Sequence, residues 1–122
     1  MDQSCVPPVE SRRVRRIPRY RTDLRLTVTV LGRDGHFETH GLCNQIGEAG
    51  LGGIIGNELT IGEVVNLHLY LSPPSPPLHL RAIVRWRTRL QHGFEFFGIN
   101  EEFSVQIREF CKRLSGNNVE CG

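Results

Sequence analysis

"LHLRAIVRWR", residues 78–87, alternates without a break. Leu78, Leu80, Ala82, Val84 and Trp86 fall on one face, with His79, Arg81, Ile83, Arg85 and Arg87 on the other. A period of two is that of a half-buried strand, because successive side chains leave a pleated backbone on opposite sides. The pattern places the single Trp86 on the core face. The same period appears upstream, where Leu24, Leu26, Val28 and Val30 alternate with Arg25, Thr27 and Thr29. Val65, Leu67, Leu69 and Leu71 line one face of residues 64–71. Further strands are expected at about 36–46, 51–55 and 94–97. Gly32-Arg33-Asp34-Gly35, the glycine-rich residues 47–50, residues 57–63 and Ser72-Pro73-Pro74-Ser75-Pro76-Pro77 form the breaks between them.

After the strands the period becomes helical. Phe103, Ile107, Phe110, Cys111 and Leu114 fall on one face of residues 101–114. This segment is acidic at its start and basic at its end, as the helix macrodipole favours. The expected fold class is therefore all-β with a C-terminal helix: six short strands in a small antiparallel β-barrel. The helix would cover one opening or supply an interaction surface.

The 122 residues suffice for one domain. Residues 1–11 are polar, contain Pro7-Pro8 and are expected to be disordered. The domain then runs over 12–114, with an arginine-rich arm at 12–23, the barrel at 24–97 and the helix at 101–114; residues 115–122 form a second disordered tail. No apolar run approaches the roughly 20 residues that cross a bilayer, so membrane insertion is not expected. The N-terminus lacks the features of a secretory signal, which points to the cytoplasm. Cys5, Cys43, Cys111 and Cys121 form no close pair and are expected to be reduced thiols.

The formal charge is only +2, but residues 12–25 hold seven arginines and one aspartate. That segment carries +6, so the remainder carries −4. Ile17-Pro18 interrupts any helix through the cluster, so it is expected to be an extended, mobile arm. Arginine presents a planar fork that grips phosphate and stacks on flat rings. The cluster could clamp a polyanion, or it could be a solvated tail.

Other stretches carry two readings as well. "NQIGEAGLGG", residues 44–53, places four glycines at a reversal where a ligand could approach the backbone, or where the chain simply turns. It is neither a P-loop nor a dinucleotide fingerprint. His36, His40 and Cys43 have a metal-like spacing, yet in a strand Cys43 points away from both histidines, and no metal site is expected. Arg81, Arg85 and Arg87 are either a solvated strand face or an extension of the basic surface. No catalytic signature stands out, so an enzyme is not expected.

Taken in order, these pieces resemble the PilZ domain family. "RRIPRYRTDLRLTV" resembles its RxxxR lead-in to the first strand, with Arg15 and Arg19 as the pair; Arg12 and Arg16 offer the same spacing. "QIGEAGLGG" falls where that family has D/N-x-S-x-x-G, "LRAIVRWR" and "HGFEF" resemble its late strand pair, and "EEFSVQIREFCKRL" its closing helix. The resemblance implies a six-stranded PilZ-type barrel and a receptor for cyclic di-GMP, with Arg15, Arg16, Arg19, Gln45, Gly47 and Gly50 as ligand-binding residues. It also implies an effector protein as the partner that receives the signal; nucleic acid is not the expected partner.

The turn departs from the family pattern. Gln45 stands for Asp or Asn, and Gly47, which has no hydroxyl, stands for Ser; only Gly50 matches. Starting the motif at Asn44 instead puts Ile46 and Ala49 at the Ser and Gly positions. Each hydrogen bond lost to the ligand costs on the order of 1 kcal/mol. The alternative is thus a degenerate PilZ adaptor that no longer binds cyclic di-GMP and works through protein–protein contacts. A nucleic-acid-binding barrel using the arm and the Arg81, Arg85 and Arg87 face is a third reading.

Overall fold

The computed structural model describes residues 18–32 and 35–116. The expectations for residues 1–17 and for the tail from 117 lie outside the described residues. The strands are β1 (Tyr20–Gly32), β2 (Gly35–Ile46), β3 (Gly50–Ile55), β4 (Val64–Leu69), β5 (Leu78–Thr88) and β6 (Gln91–Phe96), followed by the helix α1 (Glu101–Ser115). They close into a barrel in the order β1-β2-β3-β6-β5-β4, with every pair antiparallel.

Register brings the apolar faces together. Leu26, Val28 and Val30 of β1 stand opposite Leu69, Leu67 and Val65 of β4. These same β4 residues face Leu78, Leu80 and Ala82 of β5. Phe94 of β6 pairs with Leu51 on one side and Val84 on the other. All of these side chains are buried in one core. Burying apolar surface at roughly 25 cal/mol per Å² makes that core the main stabilising term.

Both openings are closed. At the end where β1, β3 and β5 begin, α1 buries Ile107 and Cys111 in the core, with Phe103, Phe110 and Leu114 partly buried. Asn100 caps this helix, its Oδ1 accepting from the Phe103 N–H at 2.8 Å. At the other end, the connection from β3 to β4 inserts Leu59, which is 3% exposed. The Leu59 N–H donates to Nε2 of fully buried His92 at 3.0 Å, and His92 Nδ1 lies 2.7 Å from the Leu90 carbonyl. His92 is therefore neutral, donating through Nδ1 and accepting at Nε2. Desolvation is the largest influence on it and holds its pKa below the ordinary imidazole value.

Two expectations need correction. First, the arm was expected to run through residue 23, but β1 already starts at Tyr20, with Tyr20 opposite Ile46 and Arg21 opposite Gln45. A register shift between Arg21 and Leu24 breaks the alternation there and hides this part of the strand from a period-two reading. Second, Trp86 is not in the core: it is 38% exposed. Val84 pairs with Phe94 and Trp86 with Gly93, leaving Arg85 as the extra residue of a β-bulge. The bulge reverses the alternation, turning Trp86 outward and making Arg87 half-buried.

Replacing His92 with leucine leaves the buried Leu59 N–H without an acceptor, and a loss of about 1–3 kcal/mol is expected in urea unfolding. Because the folded pKa of His92 is depressed, its contribution is complete above about pH 6.5 and declines as the pH falls below that value. Stability curves of wild type and His92→Leu should therefore converge as the pH falls from 7 towards 5.

Candidate functional site

The outer face of the barrel carries one row of residues that runs straight across four strands. Gln45 of β2 pairs with Gly52 of β3, Gly52 with Gly93 of β6, and Gly93 with Trp86 of β5. Both ends of the row owe their position to bulges. A register shift between Cys43 and Gln45 does for Gln45 what the Arg85 bulge does for Trp86. In uninterrupted strands, Gln45 would share the core face of Cys43, and Trp86 that of Val84. Bulges commonly redirect side chains in this way.

The two glycines between them form a bare floor onto which the flanking side chains fold. A Cβ on Gly52 would sit 2.9 Å from Gln45 Cγ, and one on Gly93 would run into the Trp86 indole. Around this floor lies an open cavity of about 410 Å³ lined by Arg19, Gly47, Ala49, Gly50, Arg85, Trp86, Gly93, Phe94 and Glu95. Arg19 reaches it from the residue just before β1, its Nη1 donating to Gln45 Oε1 at 3.2 Å. On the opposite wall, Arg85 Nε lies 2.5 Å from Glu95 Oε1.

The sequence-predicted residues thus divide into two groups. Arg19, Gly47 and Gly50 line the cavity, and Gln45 touches it through Arg19. Arg15 and Arg16 lie outside the described residues. Gly47 is buried because the chain leading into β1 packs on it: a Cβ there would stand 2.6 Å from the Pro18 carbonyl oxygen. The Gly47 N–H also donates to the Gly50 carbonyl at 2.9 Å, which closes the turn. Beside this turn, Glu48 meets Arg108 of α1 at 3.8 Å.

Sequence reasoning missed Gly93 and Glu95, placed Trp86 in the core, and offered Arg85 only as part of a basic strand face. The available signal was the pair "RW" opposite "HG", a bulky residue facing a glycine across two strands, but it is legible only once the bulge is known. The proposed basic stripe does not form. Arg81 Nε donates to Asn66 Oδ1 at 3.3 Å, and Arg87 turns away to meet Glu58 at 3.2 Å. His40 lies beside Thr27, with 3.4 Å between its Nδ1 and Thr27 Oγ1, whereas Cys43 is buried. Among the described residues, no group of three or more His, Cys, Asp or Glu side chains is placed to hold a metal ion.

Desolvation pushes the Cys43 thiol up to about 12 and the Cys111 thiol up to about 11, so both are poor nucleophiles. A second cavity of about 430 Å³ is lined by Asn66, His68, His79, Arg81 and Phe97 among others; of the residues singled out as candidates from the sequence it holds only Arg81. Among the described residues, no helix is long and apolar enough to cross a membrane.

The PilZ domain family model matches residues 12–113. In fold the chain is similar to the PilZ domain of Escherichia coli YcgR solved with c-di-GMP, with TM-score 0.66 and 14% identity over 84% of this chain and 92% of that one. It is similar to the Bacillus subtilis inhibitor of motility MotI/DgrA, with TM-score 0.67 and 18% identity over 84% of this chain and 52% of that one. It is also similar to the PilZ domain of CeSA from a cellulose-synthesizing bacterium, with TM-score 0.58 and 15% identity over 80% of this chain and 95% of that one. The chain thus spans about half the length of MotI/DgrA. At these identities the likeness is one of fold. No curated protein matches the sequence significantly.

Because the chain contains one tryptophan, its fluorescence reports on the cavity alone. Gly93→Ala should lift the indole off its seat, shift its emission to the red and cost about 1–3 kcal/mol. Gly47→Ser should displace Pro18 and Arg19 from the turn, seen in NMR as a changed Gln45 side-chain amide resonance.

Proposed function

The chain belongs to the PilZ domain family, and from that premise we propose that it is a cytoplasmic receptor for cyclic di-GMP that signals to an effector protein. The observation that carries this reading is the seat of Arg19, held on Gln45 at the lip of a cavity whose far wall is Arg85 and Trp86. The ligand has two phosphates and two guanines. A guanidinium can fork onto phosphate oxygens or onto guanine O6 and N7. An exposed indole over a glycine floor offers a flat surface on which a base can stack, commonly worth about 1–3 kcal/mol.

Each part then has a role. Arg15 and Arg16 close over the ligand together with Arg19, while Gly47 and Gly50 keep the turn low enough for close approach. Gln45 supplies an amide in place of the family's shorter Asp or Asn. The phosphates displace Gln45 from Arg19, because a charged acceptor makes a stronger hydrogen bond than a neutral amide oxygen. This is a binding role with no bond made or broken, and PilZ domains are receptor or adaptor modules. Arg108 and Glu48 join the turn to α1, which makes the helix the natural surface for passing the bound state to the effector.

One observation favours the adaptor reading. Pro18 packs on Gly47 and Arg19 donates to Gln45, so protein groups of the barrel hold the end of the arm. Calorimetric titration with cyclic di-GMP, using GTP as the control, separates the two. The receptor reading expects saturable, selective binding, weakened at least about tenfold by Arg19→Ala and by the double change Arg15→Ala, Arg16→Ala. Absence of binding at high micromolar ligand would overturn the receptor reading and leave the arm to a protein or nucleic-acid partner.

A further inference from the structure

A carboxylate in the wall of a cavity that receives two phosphates requires a physical reason. Glu95 is the one acidic residue among those lining the cavity. Its side chain is 51% exposed, so no buried ion pair needs it there, and a solvent-exposed pair contributes little to stability. Toward a phosphate it is repulsive, and it partly neutralises Arg85, the neighbouring cation. The remaining chemistry of the ligand calls for such a group. Guanine carries N1–H and N2–H₂ side by side on its Watson–Crick edge, and two parallel donors match the two oxygens of a carboxylate.

The geometry favours the same pairing. Glu95 lies two residues beyond Gly93 on the outer face of β6, and Gly93 is the floor beneath the Trp86 indole. Two residues along a strand span about 6.6 Å, which places the carboxylate beside a ring stacked on the indole and not beneath it. It therefore meets the edge of the base. Arg85 engages Oε1, and a carboxylate has about four acceptor sites, so capacity remains for two more donors.

Resting on the receptor reading above, we infer that Glu95 is the guanine-selecting residue of the cavity, accepting from N1–H and N2–H₂ while Arg85 holds it in place. Adenine presents an acceptor at N1 where guanine has a donor, so a fixed carboxylate meets a lone pair and rejects it. Discrimination of this kind exceeds what shape alone provides, because the wrong base leaves charged groups unpaired.

The test compares wild type with Glu95→Gln by calorimetry against cyclic di-GMP, cyclic di-AMP and cyclic di-IMP, the last lacking only the N2 amine. Thermal melts confirm that the variant is folded. Wild type should bind cyclic di-IMP about tenfold more weakly than cyclic di-GMP, and cyclic di-AMP more weakly still. Glu95→Gln should weaken cyclic di-GMP about tenfold and bring it within about twofold of cyclic di-IMP. If the variant binds cyclic di-GMP as well as or better than wild type, or keeps the full gap, Glu95 only restrains Arg85 and the inference is overturned. If wild type binds no cyclic di-GMP, the receptor reading itself fails and takes this assignment with it.

Discussion

A six-stranded ring closed on itself has no room inside for more than its own side chains. That constraint governs the rest of this structure. Closure removes every free strand edge, and a filled interior forces each strand to send alternate residues inward. Val28, Leu67, Leu51 and Val84 are fully buried for this reason, and α1 and Leu59 close the two ends. Whatever binds this protein therefore meets the outer wall, where the chain has only polar residues, glycines and a few large apolar side chains to offer.

On that wall, the alternation is broken at the places that matter. The bulge at Arg85 and the register shift beside Gln45 move two side chains from the inner to the outer surface. They arrive at opposite ends of one row, with Gly52 and Gly93 between them. Without Cβ atoms at these two positions, the flanking side chains lie flat and the trough stays open. The cavity is thus a product of two irregularities in an otherwise regular barrel, and the core beneath it is undisturbed.

Charge follows the same logic. Arg85 and Arg87 have acidic partners within 3.2 Å, and Arg81 has an amide partner, so the barrel wall is close to balanced. The excess positive charge sits in residues 12–25, of which Arg19 is held at the cavity by an uncharged amide. A neutral partner holds a guanidinium loosely enough for a phosphate to replace it. On the proposed receptor reading, arginines balanced on the wall and an arginine lightly held at its lip are a division of labour suited to recruiting an anion.

The period-two runs and the single helical run determined the element types by themselves: six strands and a helix, with Leu26, Val28, Leu67, Leu80 and Ile107 inside. Local patterning suffices there because alternation is set by backbone geometry alone. The order of the ring was decided in three dimensions. β3 lies against β6, and β4 bridges β1 and β5, because the connection through Leu59 must cross an opening to seal it. His92 reads in sequence as the polar start of the last strand, yet it is buried as the acceptor for that connection. The arginine cluster and the glycine turn could be singled out from the residues, and Gln45, Gly47 and Gly50 within it from the resemblance to the PilZ motif. The place of Trp86 could not, since one inserted residue reverses every side chain after it and leaves no trace in composition, and without that register Gly93 and Glu95 could not be set beside it. Only pairing with a neighbouring strand shows where such an insertion falls.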